Sequence, residues 1–196
     1  MTNFVHGPGN VNTTKPISSY KDLVGMKMRV GGGVANDVGT ALGVAGVNMP
    51  APAVYEAISS GVTDGVFFPM ETMYAFKIAE LAKHTYSNPQ GMYTTAFGLI
   101  MNSDSYDDLS DAHKACVDKL TGVDMAPRVG TYWDEADALG LEKFKEVGGK
   151  LTVASAADQA YFAEKTAGIE AKVVAAASER GIDAAAALAY FRSPLN

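Results

Sequence analysis

The stretch KMRVGGGVAND, residues 27–37, ends a short apolar run with Arg29 and Val30 and follows it at once with Gly31, Gly32, Gly33 and a helix-like sequence. A guanidinium offers five N–H donors in a planar fork matched to a carboxylate. The first N–H groups of a helix have no partners within it and attract anions. An arginine at the carboxyl end of a parallel strand faces the crevice where open α/β sheets hold ligands, so the pattern points to an anion site. Two plainer readings stay open: a salt bridge from Arg29 to an acid across a domain seam, and glycines that only permit a tight strand-to-helix turn. The dinucleotide fingerprint G-x-G-x-x-G fails, because Asn36 stands where the last glycine is required, and no Gly-Lys-Ser/Thr follows for a triphosphate loop. An α/β enzyme holding a phosphate-containing cofactor at Gly31–Gly33 is therefore the rival reading.

Other chemistry is thin. No serine sits in a G-x-S-x-G elbow, and His6, His84 and His113 lack metal-ligand spacing, so neither a catalytic triad nor a metal site is expected. His84 and His113 read as surface or helix-end residues, and Asp64-Gly65 as a strand entry or turn. Phe67 and Phe68 are core residues by type, but at the crevice end of a strand one of them is a candidate pocket wall. The lone Cys116 shares a helical face with Ala112 and Leu120 and reads as a packed, inert thiol.

The elements that position these residues follow from periodicity. Met26, Met28 and Val30 alternate as in a strand; Val34, Val38, Ala41, Leu42 and Ala45 mark a helix closing at Gly46; VNMP and VTDGVFF read as strands. Val54, Ala57 and Ile58 mark a helix ended by Gly61, and METMYAFKIAELAKH a further one behind Pro69. This βαβαβα rhythm predicts a parallel sheet with helices on its faces. The uncharged run from Gly91 to Ile100 predicts a long central strand. Beyond Asn102 the chain reads as mostly helical. Ser110 caps one helix; Trp133, Ala136, Gly140, Phe144 and Val147 share a face of the next; KLTVA is a brief strand. Phe162, Thr166, Ile169 and Val173 then line one long helix, and Asp183 starts the last.

Among 196 residues, 47% are hydrophobic and 19% charged, enough apolar content to bury a core. With 16 basic and 22 acidic side chains the net charge is −6, and the lysines are scattered, which argues against a nucleic-acid partner. MTNFVHGPGN has no basic start and no apolar core of signal-peptide length, so no export signal or anchor is expected in this sequence.

Three runs fall in familiar order: D-L-x-G-x-K-x-R-V at residues 22–30, M-P-x-x-x-V-Y-x-A-x-x-x-G-x-x-D-G at 49–65, and M-N-x-x-x-Y-x-x-L-S at 101–110. Together they resemble the solute-binding proteins of TRAP transporters, DctP type, from about Asn3 to the end. The resemblance implies an α/β, periplasmic-binding-protein-like two-domain fold that closes over a small carboxylate and hands it to ion-driven TRAP permease membrane subunits. It implies a periplasmic binder, not an enzyme, with no cofactor. Arg29 matches the family's carboxylate-gripping arginine, with Gly32 at the softened helix start beside it.

Departures from the family pattern narrow the ligand. Phe67-Phe68-Pro69 replaces an E-N-P stretch, which disfavours sugar acids; the glutamate of metal-dependent 2-oxo-acid binders is missing near Phe67; and Ala51 leaves space where sialic-acid binders carry an aromatic. These features imply a monocarboxylate with an apolar or aromatic body, with His6 lining the cleft by position. The family's signal peptide and the first half of its N-terminal domain have no counterpart here. Residues 1–25 then read as a connector and remnant of domain I, 26–92 as α/β domain II, and 93–196 as a crossing strand with C-terminal helices shared with domain I. The half-domain without counterpart leaves open a gene fragment, a misplaced start, a non-functional relic, or a split protein whose complement is supplied in trans.

Overall fold

The structure, a computed structural model, describes residues 2–193. Its strands are β1 (Thr2–Val5), β2 (Asn10–Thr13), β3 (Lys27–Val30), β4 (Ala45–Asn48), β5 (Gly65–Phe68), β6 (His84–Ser87), β7 (Ala96–Leu99) and β8 (Lys150–Val153). Between and after them run α1 (Val34–Ala41), α2 (Val54–Ser59), α3 (Glu71–Ala75), α4 (Ser103–Asp107), α5 (Asp111–Leu120), α6 (Met125–Glu146), α7 (Ala156–Thr166), α8 (Ile169–Ser178) and α9 (Ala184–Arg192).

Six strands form one sheet in the order β4-β3-β5-β2-β6-β8. The β3-α1-β4-α2-β5 run is parallel, as the rhythm predicts, but β2 lies antiparallel between β5 and β6, so the sheet is mixed. β2 escaped the periodicity because its sequence, NVNT, is mostly polar. Its buried Asn12 is satisfied within the sheet: Nδ2 donates to the Phe68 carbonyl at 3.1 Å, and its Oδ1 accepts from Thr85 Oγ1 at 2.8 Å. The stretch read as a polar connector also enters the core, where Tyr20 and Leu23 are wholly buried.

Each face of the sheet carries its own apolar layer. Val11, Met28, Val30 and Phe67 pack with Val38 and Leu42 of the α1 segment and, further out, with Phe162 of α7. Val66, Phe68 and Met70 pack with Val54 and Ile58 of α2, Met73 of α3 and Phe144 of α6. Along β5, successive side chains therefore serve opposite layers, the period-2 rule of a strand.

Several elements depart from the periodic reading. α1 ends at Ala41, because Gly43 takes the left-handed conformation (φ 76°), and Gly46 lies inside β4. The helix predicted behind Pro69 stops at Ala75, where Lys77 turns left-handed (φ 56°), a conformation costing a non-glycine residue about 1 kcal/mol and announced by neither Gly nor Pro. The long helix through Phe162 and Val173 is two helices parted at Gly168.

The long central strand is instead β7, four residues paired only with β1, and exposed along its length. Ala112, Cys116 and Leu120 of α5 are likewise exposed, so the packed-thiol expectation fails: an amphipathic stripe records what a helix can bury, not that a partner covers it. His84 sits half-buried in β6, while His113 is exposed on α5.

α6 joins the two sheets, packing on α3 at one point and on β1 at another. The close approach to α3 depends on Gly140, where an added Cβ would lie 2.0 Å from the Met70 carbonyl oxygen.

Candidate ligand-binding site

Arg29 occupies β3 between Met28 and Val30, so alternation turns it to the face opposite theirs. Its Nε and Nη2 both donate to the Met49 carbonyl, at 3.1 and 3.0 Å. Its guanidinium carbon lies 4.6 Å from the centre of the Phe68 ring. Ion pairs among the described residues join Lys143 to Glu142 and Glu146, Lys172 to Asp37, and Arg192 to Glu170, and none reaches Arg29. Burial lowers the Arg29 pKa from its usual value, yet a guanidinium stays charged in any protein setting. The result is a buried cation, 8% exposed, fixed on one edge and one face and with no ion-pair partner among the described residues.

Arg29 borders a cavity of about 420 Å³. Gly31, Gly32 and Ala35 bring the start of α1 to its wall, where Gly33 holds φ 62° and ψ −137°, a conformation suited to glycine. Ala51, Phe68 and Pro69 form an apolar wall, with Phe76 stacked on Phe68 at 5.9 Å. The small sheet and α6 supply an aromatic wall: Phe97 stacks on Trp133 at 5.7 Å, and His6 stands edge-on to Tyr93 at 5.6 Å. Tyr93 reaches the cavity because Gly9 has no side chain; a Cβ there would meet the ring at 2.2 Å.

Glu71 and Thr72, in the first turn of α3, complete the boundary. The Glu71 backbone N–H donates to Asp137 Oδ1 at 2.7 Å. Burial, with the Asp137 charge second, pushes the Glu71 carboxyl up to about 7, and burial also raises Asp137. A neighbouring apolar hollow of about 290 Å³ between α3 and α6 shares Glu71 and Trp133 but has no cation in its wall.

Five of the six residues selected from the sequence, His6, Arg29, Gly32, Ala51 and Phe68, thus border one cavity. Phe67 does not. It is 0% exposed on the other face of the sheet, against Val38 and Leu42, because its neighbour Phe68 takes the cavity side. Glu71, Tyr93, Phe97 and Trp133 were not selected. Glu71 had a readable signal, an acid in the first helical turn after the same strand end as Phe68; the three aromatics arrive from distant segments that no local pattern links to Arg29.

A mixed sheet with a cation at its strand ends, facing a cavity closed by a second, smaller body, defines one lobe and part of another in a ligand-binding α/β fold. Comparison places it further. Residues 5–176 match the family DctP, bacterial extracellular solute-binding protein, family 7, and the chain belongs to that family, the solute-binding proteins of TRAP transporters.

The chain is similar to a TRAP periplasmic solute-binding protein from Bordetella bronchiseptica with bound (R)- and (S)-mandelate: 39% identity, TM-score 0.90, covering 96% of this chain and 60% of that one. It is also similar to a marine metagenome TRAP solute-binding protein specific for aromatic acid ligands, in complex with 3-hydroxybenzoate: 36% identity, TM-score 0.87, covering 93% of this chain and 58% of that one. The C4-dicarboxylate-binding periplasmic protein DctP of Rhodobacter capsulatus is 28% identical over 134 residues, 68% of this chain and 37% of that protein. The chain therefore spans less than two thirds of each of these relatives.

Proposed function

We propose that the protein captures a small monocarboxylate with an aromatic or otherwise apolar body in the periplasm and delivers it to the membrane subunits of a TRAP permease. The observation that carries this reading is Arg29: a buried guanidinium with no ion-pair partner among the described residues, bordering a cavity whose wall includes the apolar rings of Phe68, Phe76, Phe97 and Trp133. Transfer of an anion into that cavity exchanges its hydration for a charge-assisted bond to the fork and for the N–H groups at the start of α1. The ligand body replaces water on Phe68, Phe97 and Trp133. Mandelate and 3-hydroxybenzoate, the ligands of the two similar structures, share this chemistry. A dicarboxylate fits less well, because the wall holds one guanidinium and also a carboxyl, Glu71.

Val5, 50% exposed, and Ile100, 85% exposed, lie on the side of the small sheet opposite Phe4 and Phe97, and on this reading that apolar side receives a complementary half-domain, in cis or in trans. Membership in a binding family also favours capture over the phosphate-cofactor enzyme.

Calorimetric titration with benzoate, mandelate, succinate and glucuronate tests the ligand class. Benzoate or mandelate should bind, and succinate and glucuronate should bind at least about tenfold more weakly. The opposite ranking overturns the reading.

A further inference from the structure

Glu71 is the one carboxylate-bearing residue in the wall of the Arg29 cavity, among the described residues. Its backbone is fixed: the N–H is held by Asp137, and Gly140 brings α6 tight against the strand end that precedes it. Its carboxyl, by contrast, has neither a hydrogen-bond nor an ion-pair partner among the described residues, and no ion pair joins it to Arg29. Arg29, Glu71 and Tyr93 border the same cavity, and the Tyr93 hydroxyl feels the charge of both the cation and the carboxyl. The other polar groups there are less available: Thr72 Oγ1 donates to the Pro69 carbonyl at 2.7 Å, and His6 Nδ1 lies against the Gly7 carbonyl.

Glu71 is half-buried, and a ligand that displaces water from its carboxyl while placing an anion nearby is disfavoured unless it brings that carboxyl a donor. We propose that Glu71 is a specificity-determining residue that accepts a hydrogen bond from a hydroxyl or amino group on the ligand body, so that the site selects donor-bearing aromatic acids over unsubstituted ones. This rests on the reading that Arg29 holds the ligand carboxylate. Sites built to hydrogen-bond a ligand hydroxyl reject the analogue lacking it far more strongly than apolar pockets reject an added one, so the discrimination is large enough to measure.

The test is calorimetric titration of the 196-residue chain with benzoate, with the three hydroxybenzoate isomers, and with their methoxy counterparts, which accept but cannot donate. At least one hydroxybenzoate should bind about tenfold tighter than both benzoate and its own methoxy analogue. Glu71→Leu should bring that isomer to within about twofold of benzoate. Glu71→Gln, which keeps shape and one acceptor, should fall between and guards against a folding defect in the leucine variant. Benzoate binding with no preferred hydroxy isomer, or a preference that survives in Glu71→Leu, overturns this inference and leaves the monocarboxylate reading standing. Binding of none of these acids overturns both.

Discussion

The guanidinium of Arg29 lies on the ring of Phe68, 4.6 Å from its centre, and that ring in turn stacks on Phe76 at an interplanar angle of 17°. With Nε and Nη2 both on the Met49 carbonyl, the side chain is held on an edge and on a face before any ligand arrives. Its rotamer entropy is lost on folding, so little remains to be lost on binding. The arrangement makes the cation a fixed feature of the cavity wall and the ring beneath it part of the same device.

Removing that cation should be costly. Arg29→Ala is expected to weaken benzoate and mandelate binding by about 2 to 5 kcal/mol, roughly thirty-fold to several thousand-fold. Arg29→Lys keeps the charge but not the fork, cannot hold Met49 and the ligand together, and should still lose about tenfold. Titration calorimetry reads both, and an unaltered affinity in Arg29→Ala would take Arg29 out of the site.

The two adjacent phenylalanines give a paired test of strand alternation. Phe68→Asn should weaken apolar acids relative to polar ones, since it puts an amide where the ring wall stood. Phe67→Ala should cost about 3 to 5 kcal/mol of stability by opening a cavity in the opposite layer. It should leave ligand ranking in the folded fraction unchanged. Chemical denaturation and a ligand panel on both variants check this; an altered ranking in the Phe67 variant would show that the opposite layer reaches the cavity.

These two residues also mark how far the sequence could be read. Arg29, Gly32 and Phe68 belong to a local strand-end pattern, and the parallel β3-β4-β5 run is legible because short strand-like stretches bounded by turn residues alternate with helical periods. β2 was not, because its polar Asn12 is satisfied by sheet partners more than fifty residues away. Tyr93 was not, because its place depends on Gly9 yielding space, a tertiary fact with no period. The α5 stripe was read correctly as amphipathic and wrongly as buried, because burial needs a partner surface as well as a pattern.

Glu71 should make both stability and binding depend on pH. Its folded-state pKa, about 7, stands above its usual 4.5. Folding therefore favours the protonated carboxyl: that contribution is complete below about 4.5 and is lost as pH rises through about 7. Burial is the larger cause of the raised pKa and the charge of Asp137 from α6 the second, while His6 from the turn after β1, Tyr93 from the loop before β7 and Arg29 from β3 border the same cavity. A bound benzoate adds a further negative charge, so its affinity should also weaken above neutrality. Glu71→Gln should gain stability over wild type as pH rises from about 5 to about 8. Denaturant titrations across that range measure the difference; parallel curves for the two proteins would mean the carboxyl titrates alike folded and unfolded.

Gly140 and Gly130 lie on the same helix and should respond oppositely to alanine. At Gly140 a Cβ would sit 2.0 Å from the Met70 carbonyl oxygen, whereas at Gly130 nothing lies within 4 Å. Gly140→Ala must push α6 away from α3, which costs about 1 to 3 kcal/mol for an overpacked contact. It also withdraws Asp137 from the Glu71 N–H and Trp133 from the cavity wall, so ligand affinity should drop with stability. Gly130→Ala meets no obstacle and should stabilise by up to about 1 kcal/mol through helix propensity, with binding unchanged. Thermal melts and titrations of the two variants side by side decide the matter: equal stability would mean that the approach of α6 to α3 does not set the geometry of the site.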